Sequence, residues 1–354
     1  MSGIDGVFFV GGAEGGTRLL QAALATRRAQ LRQRGIRYLD DSTLDGFAHL
    51  AGWRASPRPV PDEALAFEHE LAAAVGAEPG GMGRRDPGVL VLAAERLLGL
   101  ASIGRRDRAQ FRPCAVPALT QVIQALGLSA VRLVVQTRRQ DRLMERSYVR
   151  EIEAGHHHRF VHQFPYRTKP ALDYGELLER LAGVPGVADV VVRPVEIAAA
   201  GAAVAVRDLL TVAGLPTDLD LDAACDGLTD RNYSYRGVKV ARGMNPHVKT
   251  AEDRALVRDY VLRRFGADGG DHARIIRPEQ RAAILAAYGG ANREVFRRYL
   301  PGLPEDSYAG DEQTERMVRL AAERLPPAPR PVAGTRAALR RLAPRRRRPP
   351  WRRD

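Results

Sequence analysis

The residues best suited to chemistry stand near the N-terminus, in Gly11-Gly12-Ala13-Glu14-Gly15-Gly16-Thr17-Arg18. They directly follow the apolar run Val7-Phe8-Phe9-Val10, a predicted buried strand, and directly precede a predicted helix. Backbone N–H groups at a helix start have no intrahelical partner, and the dipole adds partial positive charge there. Glycines let a phosphate-like anion approach the main chain, and Thr17 can add a hydroxyl donor. The segment reads as an anion site with Gly11, Gly12, Gly15, Gly16, Thr17 and Arg18 as its candidate binding residues. The alternative is a tight strand–helix turn that binds nothing.

Two common phosphate motifs are excluded. The kinase and ATPase P-loop needs Lys after its second Gly, and here Thr17 follows Gly16. The dinucleotide spacing Gly-x-Gly-x-x-Gly does not occur in the segment. A second concentration of chemistry is His156-His157-His158, with His162 nearby. Adjacent histidines are expected to point different ways, and no Cys or carboxylate looks spaced to complete a tetrahedral metal site, so no metal is expected. The run reads instead as a polar loop lining a pocket. Cys114 and Cys225 are far apart and read as packed thiols in a reducing compartment, the cytoplasm.

These residues need elements to position them. Apolar runs predict strands over 7–10, 89–92, 131–135 and 189–193, with 17–33 predicted as one helix closed by Gly35. Helices are also predicted over 116–126, 141–154, 174–181 and 203–212. The alternation implies an α/β fold, a parallel β-sheet with helices on both faces. After Asp218 no further strand is expected, and 252–265, 278–288, 293–299 and 312–325 read as helices. The organisation expected is one domain over 1–325, with a sheet core over 5–215 and a helical cap over 216–325. No apolar run approaches the roughly 18 residues of a membrane helix.

The net charge of +13 looks like a nucleic-acid signal until it is located. Residues 326–354 hold ten Arg and one Asp, or +9, which leaves +4 for the other residues. This Arg/Pro-rich tail is expected to be disordered, with polyanions or an anionic membrane surface as its expected partners. No specific nucleic-acid motif is present.

Several segments together resemble bacterial sulfotransferase-like proteins, which are P-loop-related α/β proteins using 3′-phosphoadenosine-5′-phosphosulfate (PAPS) as donor. The loop partly fits the family's Gly-x-Pro-Lys-x-Gly-Thr pattern, and Arg34-Gly35-Ile36-Arg37-Tyr38 resembles the turn that follows its first helix. Val134-Val135-Gln136-Thr137-Arg138-Arg139, leading to Ser147, is similar to the strand–Arg–helix–Ser element that grips the donor's 3′-phosphate. The likeness continues through Leu172-Asp173-Tyr174, residues 191–196, Asn232-x-Ser234-x-Arg236 and the helix pair over 278–300, which carries Tyr288 and Asn292. It implies that the Gly-rich loop cradles the donor's 5′ end while Ser147 and Arg139, with Arg138 the competing choice, hold the 3′-phosphate. Arg139→Ala should then weaken nucleotide binding and spare stability. The acceptor implied is a hydroxyl of a small molecule or glycan.

The departure from the family falls at the chemistry. Glu14 stands where the family places Lys, and Ala13 where it usually places Pro. Like charges about 4 Å apart repel by roughly 4 kcal/mol at an effective dielectric near 20. Arg18 either folds over the anion in compensation or pairs with Glu14 at i, i+4. Sulfonyl transfer also needs a base, and Glu95, just beyond the second predicted strand, is the first candidate, with His157 the alternative. A non-catalytic descendant that keeps an anion pocket is the competing reading.

Overall fold

Val7, Phe8, Phe9 and Val10 are all fully buried, because β1 (Gly6–Gly11) is the central strand of a five-stranded parallel sheet. The computed structural model describes residues 4–11, 16–40, 88–93, 115–159, 173–219, 221–225, 232–267 and 274–324. The other strands are β2 (Ile36–Asp40), β3 (Val89–Ala93), β4 (Val131–Thr137) and β5 (Val187–Pro194), in the order β2-β3-β1-β4-β5. β1 pairs with β3 from Gly6↔Leu90 to Phe9↔Ala93, and with β4 from Gly6↔Val131 to Gly11↔Gln136.

Side chains alternate across a strand, so β1 feeds two cores. On one face Val7 and Phe9 pack with α1 (Gly16–Ala25), α2 (Arg28–Gln33), α6 (Ala202–Ala213) and α7 (Leu221–Cys225), which carries the buried Cys225. On the other, Phe8 and Val10 pack with α3 (Ala115–Ala125), α4 (Gln140–Glu153) and α5 (Tyr174–Ala182). That second core continues into α8 (Tyr235–Met244), α9 (Ala251–Phe265), α10 (Pro278–Tyr299) and α11 (Asp311–Arg324). Each fully buried Phe or Leu contributes about 1.5–3 kcal/mol, so the double-sided sheet is the main source of cohesion.

The structure corrects four expectations. Residues 36–40 form a fifth strand where a turn was expected. Arg37 and Asp40 interrupt its apolar pattern, but Arg28 pairs with Asp40 at 2.6 Å and lies 5.3 Å from the centre of the Tyr38 ring. The single helix over 17–33 is two, separated at Thr26-Arg27, where the Thr26 hydroxyl donates to the Ala23 carbonyl and competes with the ladder. Conversely, 278–299 is one helix through Gly289-Gly290. Its buried Tyr288, Asn292, Val295 and Phe296 hold it, outweighing the roughly 1 kcal/mol each helical Gly costs. Strands also continue past Asp218: β6 (Asn232–Tyr233) pairs antiparallel with β7 (Gly266–Ala267).

Among the described residues, no helix is long and apolar enough to cross a membrane. The basic tail lies outside the described residues.

Candidate functional site

β1 and β3 end side by side at the C-terminal edge of the sheet. These strands are neighbours, but α1, which follows β1, packs on the Val7–Phe9 face, while α3, the next described element after β3, packs on the Phe8–Val10 face. Chains leaving adjacent strands toward opposite faces define the switch point where open α/β sheets take ligands. Gly11 ends β1 and Gly16 begins α1, so the Gly-rich segment lies at that point. The first turn of α1 carries no acidic side chain to oppose an anion.

Neighbouring strand ends fix the start of α1. Thr17 is fully buried, and its hydroxyl donates to the side-chain carbonyl of Gln136, the β4 residue in register with Gly11. One turn on, Gln21 Nε2 donates to the Ala93 carbonyl at the end of β3 at 2.8 Å. The Thr17 hydroxyl expected to donate to an anion is thus donating to Gln136. Gly12, Glu14, Gly15 and Glu95 lie outside the described residues, as does the Arg18 side chain.

Past the end of β4 the chain enters a buried polar network. Arg139 is the N-cap of α4 and is 0% exposed. Its Nε and Nη2 donate to the two oxygens of Asp141 at 2.7 and 2.8 Å. Nη2 also reaches Asp311 at 2.6 Å, and Nη1 reaches the Thr314 hydroxyl at 3.1 Å. Burial opposes the Arg139 charge, but Asp141 and Asp311 outweigh it and hold its pKa above the usual value. Burial likewise works against the Asp311 carboxylate, yet Arg139 and Arg142 hold its pKa down at about 2. A phosphate reaching Arg139 would therefore have to displace a carboxylate. Ser147 is buried in the interior of α4, two turns beyond.

The same network secures the C-terminal helices. Glu145 accepts from the Ile275 and Ile276 amides at 2.8 and 2.9 Å and from Arg281 at 3.1 Å, although burial still raises its pKa. The side-chain amides of Gln140 and Asn292 exchange hydrogen bonds at 2.7 and 2.9 Å. Glu196 accepts from the Arg139 amide at 2.9 Å and from the Tyr308 hydroxyl at 3.0 Å. Beside Asn292 and Tyr308 lies a cleft of about 540 Å³ between α10 and residues 305–309, with Arg281, Arg293 and Asp306 among its lining. Its lining combines the apolar Ala282, Leu285 and Ala286 with those charged side chains.

Sequence reasoning missed Gln136, Asp141, Glu145, Glu196, Tyr308 and Asp311 as members of this constellation. Asp141 was within reach of inspection, two residues from Arg139. Asp311 was not, because only the fold brings it to β4.

The histidine run lies in the loop after α4. His157 is exposed, whereas His156 and His158 are partly buried and their rings stack with centroids 5.2 Å apart. The expectation that no carboxylate is placed to join them is corrected: Glu151 Oε2 lies 3.5 Å from His156 Nε2. Burial first, and then the neighbouring His156, lowers the His158 pKa. His162 lies outside the described residues.

Comparison with protein-family models, curated proteins and solved structures finds no match to this chain.

Proposed function

We propose that this chain is a sulfotransferase-like protein that takes PAPS at the loop between β1 and α1 and passes its sulfonate to a hydroxyl of a small molecule or glycan. The observation that carries the reading is the position of the Gly-rich segment, at the switch point of a parallel sheet and directly before a helix N-terminus anchored through Thr17 and Gln136. In the step proposed, a base removes the acceptor's hydroxyl proton, with Glu95 the first choice and His157 the alternative. The acceptor oxygen bonds to sulfur, the bond from sulfur to the donor's 5′-phosphate oxygen breaks, and 3′-phosphoadenosine-5′-phosphate (PAP) leaves with that electron pair. The two widely spaced cysteines fit a cytoplasmic setting.

A second reading, a non-catalytic descendant that keeps an anion pocket, is favoured by the engagement of Arg139 with Asp141 and Asp311 and by Glu14 in the loop. Release of PAP from PAPS, measured over a panel of hydroxyl acceptors with wild type and Glu14→Lys, separates the two. The proposed function expects turnover, faster or with a lower donor KM in Glu14→Lys because a repulsion becomes an attraction. PAP binding without turnover in either protein favours the second reading.

A further inference from the structure

Glu151 on the last turn of α4 and His156 and His158 in the following loop each bring one potential ligand atom to a common point, all within 4.8 Å of one another. We propose that these three side chains bind a divalent transition-metal ion of the zinc class, leaving a fourth coordination position to water.

The donor set decides the metal class. Two imidazoles and one carboxylate suit zinc or its neighbours, whereas magnesium and calcium require oxygen ligands. Ligand atoms about 2.0–2.2 Å from a tetrahedral zinc stand roughly 3.3–3.5 Å apart. The Glu151–His156 pair is already at 3.5 Å, and His158 brings a third ligand atom within 4.8 Å of both.

The loop is built to hold this arrangement. Gly155 at φ +100° turns the chain off the helix, and the His156 amide donates back to the Glu151 carbonyl at 3.0 Å. The carbonyls of both histidines are then held by buried side chains. Asn245 Nδ2 donates to the His156 and Ile152 carbonyls at 2.7 Å each, and the Tyr148 hydroxyl donates to the His158 carbonyl at 2.7 Å. The backbone that carries the two stacked imidazoles beside Glu151 is thus held in place. His158 Nε2 is shielded from solvent with no hydrogen-bond partner among the described residues, which leaves a ring nitrogen for a ligand. His157, exposed between its two neighbours, takes no part.

The test is calorimetric titration with zinc of full-length, tag-free protein stripped by a chelator, with cobalt(II) substitution read by visible absorption. The account expects one ion per chain, a tetrahedral cobalt spectrum, and a melting temperature that rises with zinc. Glu151→Gln and His158→Ala should each weaken zinc affinity by more than about tenfold, whereas His157→Ala should change it by less than about threefold. Glu151→Gln keeps size and shape, so its metal-free melting temperature shows whether the loop survives. No binding at micromolar zinc, equal losses from His157→Ala and His158→Ala, or an unchanged affinity in Glu151→Gln would each overturn the site.

Discussion

The Arg139 guanidinium meets the Asp311 carboxylate at 2.6 Å, and through that contact the end of β4 is joined to the first turn of α11. Arg139 also holds Asp141, and both of those side chains are wholly buried. A buried pair adds little over an apolar substitute, but breaking it strands a charge. Removing Arg139 leaves Asp141 dependent on Arg281, 3.4 Å away. Arg139→Ala should therefore cost about 3–5 kcal/mol of stability, read by chemical denaturation. This reverses the sequence-based expectation that the substitution would spare stability. An unchanged melting temperature with lost nucleotide affinity would restore the phosphate-gripping role.

Asp311 carries a pH dependence of known sign. Its folded pKa of about 2 lies below the ordinary value of 3.8, so between those values the unfolded chain binds more protons than the folded one. Its stabilising contribution is complete above about pH 4 and fades as the pH falls toward 2. Because its side chain is 43% exposed, solvent screening keeps the effect modest. Asp311→Asn should flatten the acid limb of a stability-versus-pH curve while leaving its shape above pH 5 unchanged. An identical acid limb in the variant would show that the Arg139–Asp311 contact contributes nothing to folding.

Where β2 and β3 begin, Gly35 adopts φ +72° and its carbonyl accepts from the Val89 amide at 3.0 Å. A Cβ on Gly88 would lie 2.2 Å from that carbonyl oxygen. Gly88→Ala must therefore push the two chains apart at the start of the β2–β3 ladder, at a cost of roughly 1–3 kcal/mol. Thermal denaturation checks this, and a wild-type melting temperature would mean that the two chains separate there at no cost.

What was legible in the sequence follows from the range of the interactions. Runs such as Val89 to Leu92 announce strands because a parallel sheet covered on both faces makes nearly every side chain apolar. β2 escaped because its Asp40 is neutralised by Arg28, a partner on the preceding helix rather than on the strand. The Gly-rich segment was visible from local order alone, strand then glycines then helix. The environment of Arg139 was not, because Asp311, Thr314 and Glu196 arrive from elements far along the chain. Charge in the sequence suggested a hand for phosphate, and the fold supplies that hand with carboxylates.

The proposed function requires the Gly-rich segment between β1 and α1 to bind the nucleotide end of a sulfonate donor. Calorimetric titration of the wild-type protein with PAP, with ATP as the comparison, tests it most directly. The account predicts saturable PAP binding at least about tenfold tighter than ATP, a difference of about 1.4 kcal/mol. No PAP binding at millimolar concentration, or equal affinity for the two nucleotides, would contradict it.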